Sequence, residues 1–71
     1  MTTLDDALIA AHEKHDRAAL VALYQEAATQ ANTLEARCFY LTHAYVFALE
    51  AGLPDAPALR AALVTLGAEV E

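Results

Sequence analysis

The sequence predicts an all-α fold, four short helices in two antiparallel αα-hairpins, on three observations. Alanine, the strongest helix former, fills 18 of the 71 positions. Apolar residues recur at three-and-four spacing, the period of a helix face, and no segment qualifies as a strand. Both prolines and one of the two glycines fall within residues 52–57, which marks a sharp connection.

The first helix is expected over Leu4 to Lys14, with Thr2 or Thr3 as N-cap and Asp5 and Asp6 in the first turn. Leu4, Ala7, Leu8 and Ala11 form its inward stripe. A turn at His15-Asp16 follows, where Asp16 caps a second helix from Arg17 to Gln30 with Leu20, Leu23, Tyr24, Ala27 and Ala31 inward. Asn32-Thr33-Leu34-Glu35 reads as a cap followed by an acid at N3, and Gly52 closes the third helix as a C′ residue. Pro54 and Pro57 bound the next break, Asp55 or Ala56 caps the last helix, and Leu59, Ala62, Leu63, Leu66 and Val70 point inward. Gly67 is a candidate for an early end. Short connections make successive helices antiparallel neighbours.

Length and charge narrow the function classes. A chain of 71 residues has room for one domain, 1–71, and chains of this size bury only about 60% of their unfolded surface. Four Lys+Arg against ten Asp+Glu give a net charge of −6, which repels phosphate backbones and anionic membranes. Nucleic acid and membrane are therefore not expected partners. No apolar run approaches the roughly 18 residues of a membrane span, and Met-Thr-Thr-Leu-Asp-Asp lacks the basic start of a secretory signal. With Cys38 as the single cysteine, the expected location is the cytoplasm.

Candidate chemistry is sparse, and the expectation is a protein that is not an enzyme and holds no cofactor. The chain has no serine, one lysine (Lys14) and no Gly-rich loop. His12-Glu13-Lys14-His15 places its imidazoles at i and i+3, whereas a zinc-protease helix needs i and i+4. Cys38 and His43 lie about 140° apart around a helix, so they cannot pair as nucleophile and base. Cys38 shares a stripe with Leu34, Leu41, Tyr45 and Leu49, which is expected to face the core.

The third helix carries four of the five aromatic residues and is apolar nearly all round. Phe39 and Phe47 flank His43 at one helical turn on either side, and Val46 and Glu50 continue that face. If the neighbouring helices leave it open, it is an apolar surface with a titratable centre.

Part of the chain resembles tetratricopeptide repeats, whose helix pairs recur every 34 residues or so. His15-Asp16 stands at that family's Gly-Asp turn, and Tyr24 and Ala27 take its aromatic and small positions. Leu41, 34 residues after Ala7, is followed by Ala44-Tyr45. The similarity covers about one and a half repeats. Leu8 and Thr42 stand where the family has a small glycine, Leu20 replaces an alanine, Asn32 replaces a proline, and Gly52 arrives about three residues late. In that family the first helix of each repeat lines a concave binding surface. The resemblance implies such a role for Phe39, His43, Val46 and Phe47, joined by Ile9 and His12.

The function expected from these residues is an acidic protein–protein interaction module, docking a peptide, a helix or a second copy of the chain on the third-helix face. A structural subunit of a larger assembly is the alternative within that class. From a different class comes weak metal binding or redox chemistry at His12, His15 and Cys38.

Overall fold

A computed structural model describes residues 3–67 and contains four helices: α1 (Leu4–Glu13), α2 (Arg17–Gln30), α3 (Leu34–Ala51) and α4 (Ala56–Thr65). The fold is all-α, as the alanine content and apolar spacing require. No helix among the described residues is long and apolar enough to cross a membrane.

The first three helices begin where a side chain satisfies a free N–H group. Thr3 Oγ1 accepts from the Asp6 N–H at 3.1 Å while the Asp6 carboxylate accepts from the Thr3 N–H, closing a capping box. Asp16 accepts from Ala19 N–H at 3.2 Å and starts α2. The α3 cap is Thr33, not Asn32: its hydroxyl accepts from Ala36 N–H at 3.0 Å. Glu35 thus falls at N2, one residue short of where a capping box would use it, and favours the helix only through the dipole. Asp55 precedes α4 but makes no side-chain cap bond; its backbone is already helical and Pro57 removes one N–H that a cap would have served.

Two helices end in the same device. Asp16 N–H reaches Ala11 C=O and His15 N–H reaches His12 C=O, while Leu53 N–H reaches Ala48 C=O and Gly52 N–H reaches Leu49 C=O. Both are Schellman turns, which require a left-handed residue at C′. Gly52 supplies it at φ 66°, but at the equivalent point stands His15 at φ 54°. His15 is therefore a strained turn residue, and α1 stops at Glu13 with Lys14 as its cap.

The helices pack as successive antiparallel neighbours, α1 on α2, α2 on α3 and α3 on α4. Arg17 at the start of α2 meets Glu50 near the end of α3, and Leu4 at the start of α1 shares a cleft with Ala27 and Ala31. The backbones of α1 and α3 do not come within 8 Å, and the molecule is a plate only 13 Å thick through its Cα atoms.

The core runs through the middle of this plate. Leu20, Val21 and Tyr24 of α2 join Ala44 and Ala48 of α3, Ala11 of α1, and Ala56 and Leu59 of α4 in one buried cluster. The α2·α3 interface is the most extensive, and the two α3 residues at its centre, Ala44 and Ala48, are 0% exposed. Small side chains there let α2 approach closely. Val21 and Ala28 are also buried, although neither belongs to the expected α2 stripe, because α2 is covered by α1 on one side and α3 on the other.

The expected inward stripe on α3 is corrected by the packing. Leu34 and Leu49 are exposed, and Cys38, Leu41 and Tyr45 are half-buried. The helix turns Ala44 and Ala48 inward instead, into the cluster shared with α2 and α4, while Ala36 is half-buried and Ala51 exposed. On α4, Leu59 and Leu63 are buried while Ala62 and Leu66 are partly covered; the inward assignment of Val70 and the alternative cap Thr2 lie outside the described residues.

A Cβ at Gly52 would meet nothing within 4 Å, so Gly52→Ala tests backbone conformation alone. It should lower stability by about 1 kcal/mol, while His15→Gly should raise it by about 0.5–1 kcal/mol, the relief of a left-handed β-carbon less the extra freedom of an unfolded glycine. Urea unfolding of both variants checks the signs; a destabilised His15→Gly would mean that His15 makes a contact that outweighs its strain.

Candidate functional site

Tyr24 is the one aromatic residue of α2 and sits at the centre of a ring cluster. Its ring stacks on Phe47 at 5.9 Å with 14° between planes, and lies 5.1 Å from His43 and 6.2 Å from Tyr40. His12 of α1 stands edge-on to both Tyr24, at 6.0 Å, and Phe47, at 5.7 Å. A buried tyrosine needs a partner for its hydroxyl, and His12 Nε2 meets it at 3.0 Å. Burial, with the neighbouring Tyr40 phenol in second place, pushes the Tyr24 pKa above the ordinary phenol value.

His43 links this cluster to the outer face of α3. Its Nδ1 lies 2.9 Å from the Phe39 carbonyl one turn back. A carbonyl only accepts, so Nδ1 carries the proton and Nε2 is left as an acceptor in the neutral ring. Phe39 packs on His43 at 4.3 Å and edge-on to Tyr40 at 5.5 Å. Thr42 is similarly self-contained: its hydroxyl donates to the Cys38 carbonyl at 2.7 Å, leaving the methyl as its free group.

The face beyond these bonds is apolar and open. Phe39 is 57% exposed and Val46 45%; Leu49, though 56% exposed, lies instead beside α4 in a cleft with Tyr45, Ala56 and Arg60. Thr42, His43, Val46, Phe47 and Glu50 line a shallow cleft of about 230 Å³. At its C-terminal end Glu50 Oε2 lies 3.8 Å from Arg17 Nε, a half-exposed pair worth about 0–1 kcal/mol.

Of the residues singled out from the sequence, the fold brings His12, His43 and Phe47 together around Tyr24 and places Phe39, Val46 and Glu50 beside them. Ile9 is exposed on α1 and lies outside that cleft. His12, His15 and Cys38 are not gathered: His12 is bonded to Tyr24, His15 holds the turn after α1, and Cys38 is half-buried on α3. Among the described residues no three His, Cys, Asp or Glu side chains come together as a metal site would require.

Tyr24 and Tyr40 are the members of this site that the sequence reading left out. The available signal was a tyrosine on a stripe otherwise made of leucine and alanine, which must find a polar partner within reach.

No protein-family model, curated protein or solved structure matches the chain.

Because folding raises the Tyr24 pKa, the neutral phenol is favoured in the folded state. The associated stability is fully present below the ordinary phenol pKa of about 10 and is lost as pH rises through the higher folded value. Tyr24→Phe keeps the ring but removes both the ionisation and the His12 bond. It should cost about 1 kcal/mol at neutral pH and flatten the loss of stability above pH 10, read by urea unfolding across that range. An alkaline loss as steep as that of the unaltered chain would place the titration elsewhere.

Proposed function

We propose that the chain is a small acidic interaction module whose docking surface is the outer face of α3: Phe39, His43, Val46, Phe47 and Glu50. His12 extends the face onto α1 through its contact with Phe47, and Ile9 lies further along the same helix. The partner is a protein or peptide, with a second copy of the chain as the self-associating form of the same idea.

One observation carries the reading. α3 gives Ala44 and Ala48 to the core and leaves Phe39 and Val46 on the outside, around a cleft whose polar members are already hydrogen-bonded to backbone or paired with Arg17. Large side chains exposed side by side on one helix face are uncommon in a self-sufficient small domain and typical of contact surfaces. A reaction is not supported by the same residues. His43 makes its hydrogen bond to the Phe39 carbonyl of its own helix, so its Nδ1 proton is committed to the backbone, and Thr42 likewise spends its hydroxyl on the Cys38 carbonyl.

The tetratricopeptide likeness belongs to this proposal. It rests on helical hairpins with a tight turn at His15-Asp16, and it places docking residues on the first helix of each hairpin, here α1 and α3. A cytoplasmic location follows from the same reading, with an acidic chain, a single thiol and no expected disulfide.

A photo-crosslinking phenylalanine in place of Val46, expressed in the native cell, tests the face directly. Illumination should give discrete adducts of defined mass from position 46 and none from the same probe at the exposed Ala22 of α2. Equal labelling from both positions, or none from either, contradicts the assignment.

A further inference from the structure

We propose that the occupant of the α3 face is a basic amphipathic helix of a partner protein, its apolar side chains seated in successive holes along α3; this rests on the docking reading above. The lining of the cleft supplies the first observation. His43, Val46, Phe47 and Glu50 stand at i, i+3, i+4 and i+7, the diamond of four residues that receives one knob in helix-on-helix packing. Phe39, Thr42, His43 and Val46 repeat the diamond four residues earlier. Two holes in line, about 6 Å apart, match the knobs that a second helix presents at i and i+4.

Backbone chemistry separates a helix from an extended peptide. A docked strand needs unpaired N–H and C=O groups opposite its own. The backbone around the cleft lies within α3, Thr42 and His43 turn their donors onto it, and the face therefore offers no such edge. A helical partner brings its backbone already satisfied and asks only for side-chain packing.

Charge selects the kind of helix. Glu35 and Glu50 are exposed on α3 at the two ends of the seam, on a chain of net charge −6. Two of the three arginines lie off it, Arg37 in the cleft between α2 and α4 and Arg60 in the one beside Tyr45 and Leu49, while Arg17 offsets part of the Glu50 charge at one end. A second copy would add its own net charge of −6 to the complex, whereas a helix with lysine or arginine flanking its apolar stripe is attracted to both ends.

Two synthetic helices of about 18 residues, the length of α3, decide the matter. They share one leucine and isoleucine stripe and differ only in lysine or glutamate flanks. They are titrated against the full chain with backbone amide shifts as readout. The basic helix should move amides of residues 39–50 and bind at least about tenfold more tightly than the acidic one. Val46→Asp should abolish its binding. Glu50→Gln should weaken it about threefold, while Glu26→Gln on α2, an equal change in charge, leaves it unaltered. Equal binding of both helices, lost together in Val46→Asp, would keep the face and overturn its preference for a basic partner. If neither helix moves residues 39–50, the docking face itself falls. A free chain that sediments as a dimer and is dissolved to monomer by Val46→Asp would make the second copy the occupant and overturn the proposal.

Discussion

The close approach of α2 to α3 over Ala44 and Ala48 is the constraint on which the rest of the molecule depends. Both alanines are fully enclosed, and α2 lays Leu20, Val21 and Tyr24 into the same cluster. With α4 packed on α3 as well, the two enclosed positions carry only methyl side chains. A helix of 18 residues with small side chains inward must carry its larger ones elsewhere. Phe39 and Val46 consequently face outward, where burying each against a partner would return about 1.5–3 kcal/mol that the isolated chain does not gain.

The ring cluster ties that outer face to the fold. Tyr24 reaches across the plate, bonded to His12 on one side and stacked against His43 and Phe47 on the other. His12 also leans directly on Phe47, a ring contact between α1 and α3 although the Cα atoms of the two helices stay more than 8 Å apart. His43 and Thr42 are held by bonds to their own helix, which fixes their side chains before any partner arrives. A surface arranged in advance loses little side-chain freedom on binding.

Legibility in the sequence followed the locality of each signal. The Asp16 cap, the Gly52 terminus and the short connections depend on a few adjacent residues, and they lie where the spacing indicates. The α3 cap moved by one residue because Asn32 and Thr33 can each serve and only the entry of the chain from α2 decides between them. Burial depends on neighbours distant in sequence, and there the reading was weaker. A single inward stripe suits a helix with one neighbour, but α2 and α3 have two each, so Val21 and Ala28 are covered and Leu34 and Leu49 are not. The outer face of α3 was visible as a set of residues. That Tyr24 and His12 would brace it was not, since twelve residues and a strained turn separate them.

The division of α3 into a small-residue inner line and a large-residue outer face is measured most directly by equilibrium urea unfolding of Phe39→Ala beside Leu20→Ala. Leu20 is 2% exposed and its truncation should remove about 2–5 kcal/mol, whereas Phe39→Ala should remove less than about 1 kcal/mol. A loss at Phe39 of about 3 kcal/mol or more, the size expected of a core phenylalanine, would contradict the account and return that face to the interior.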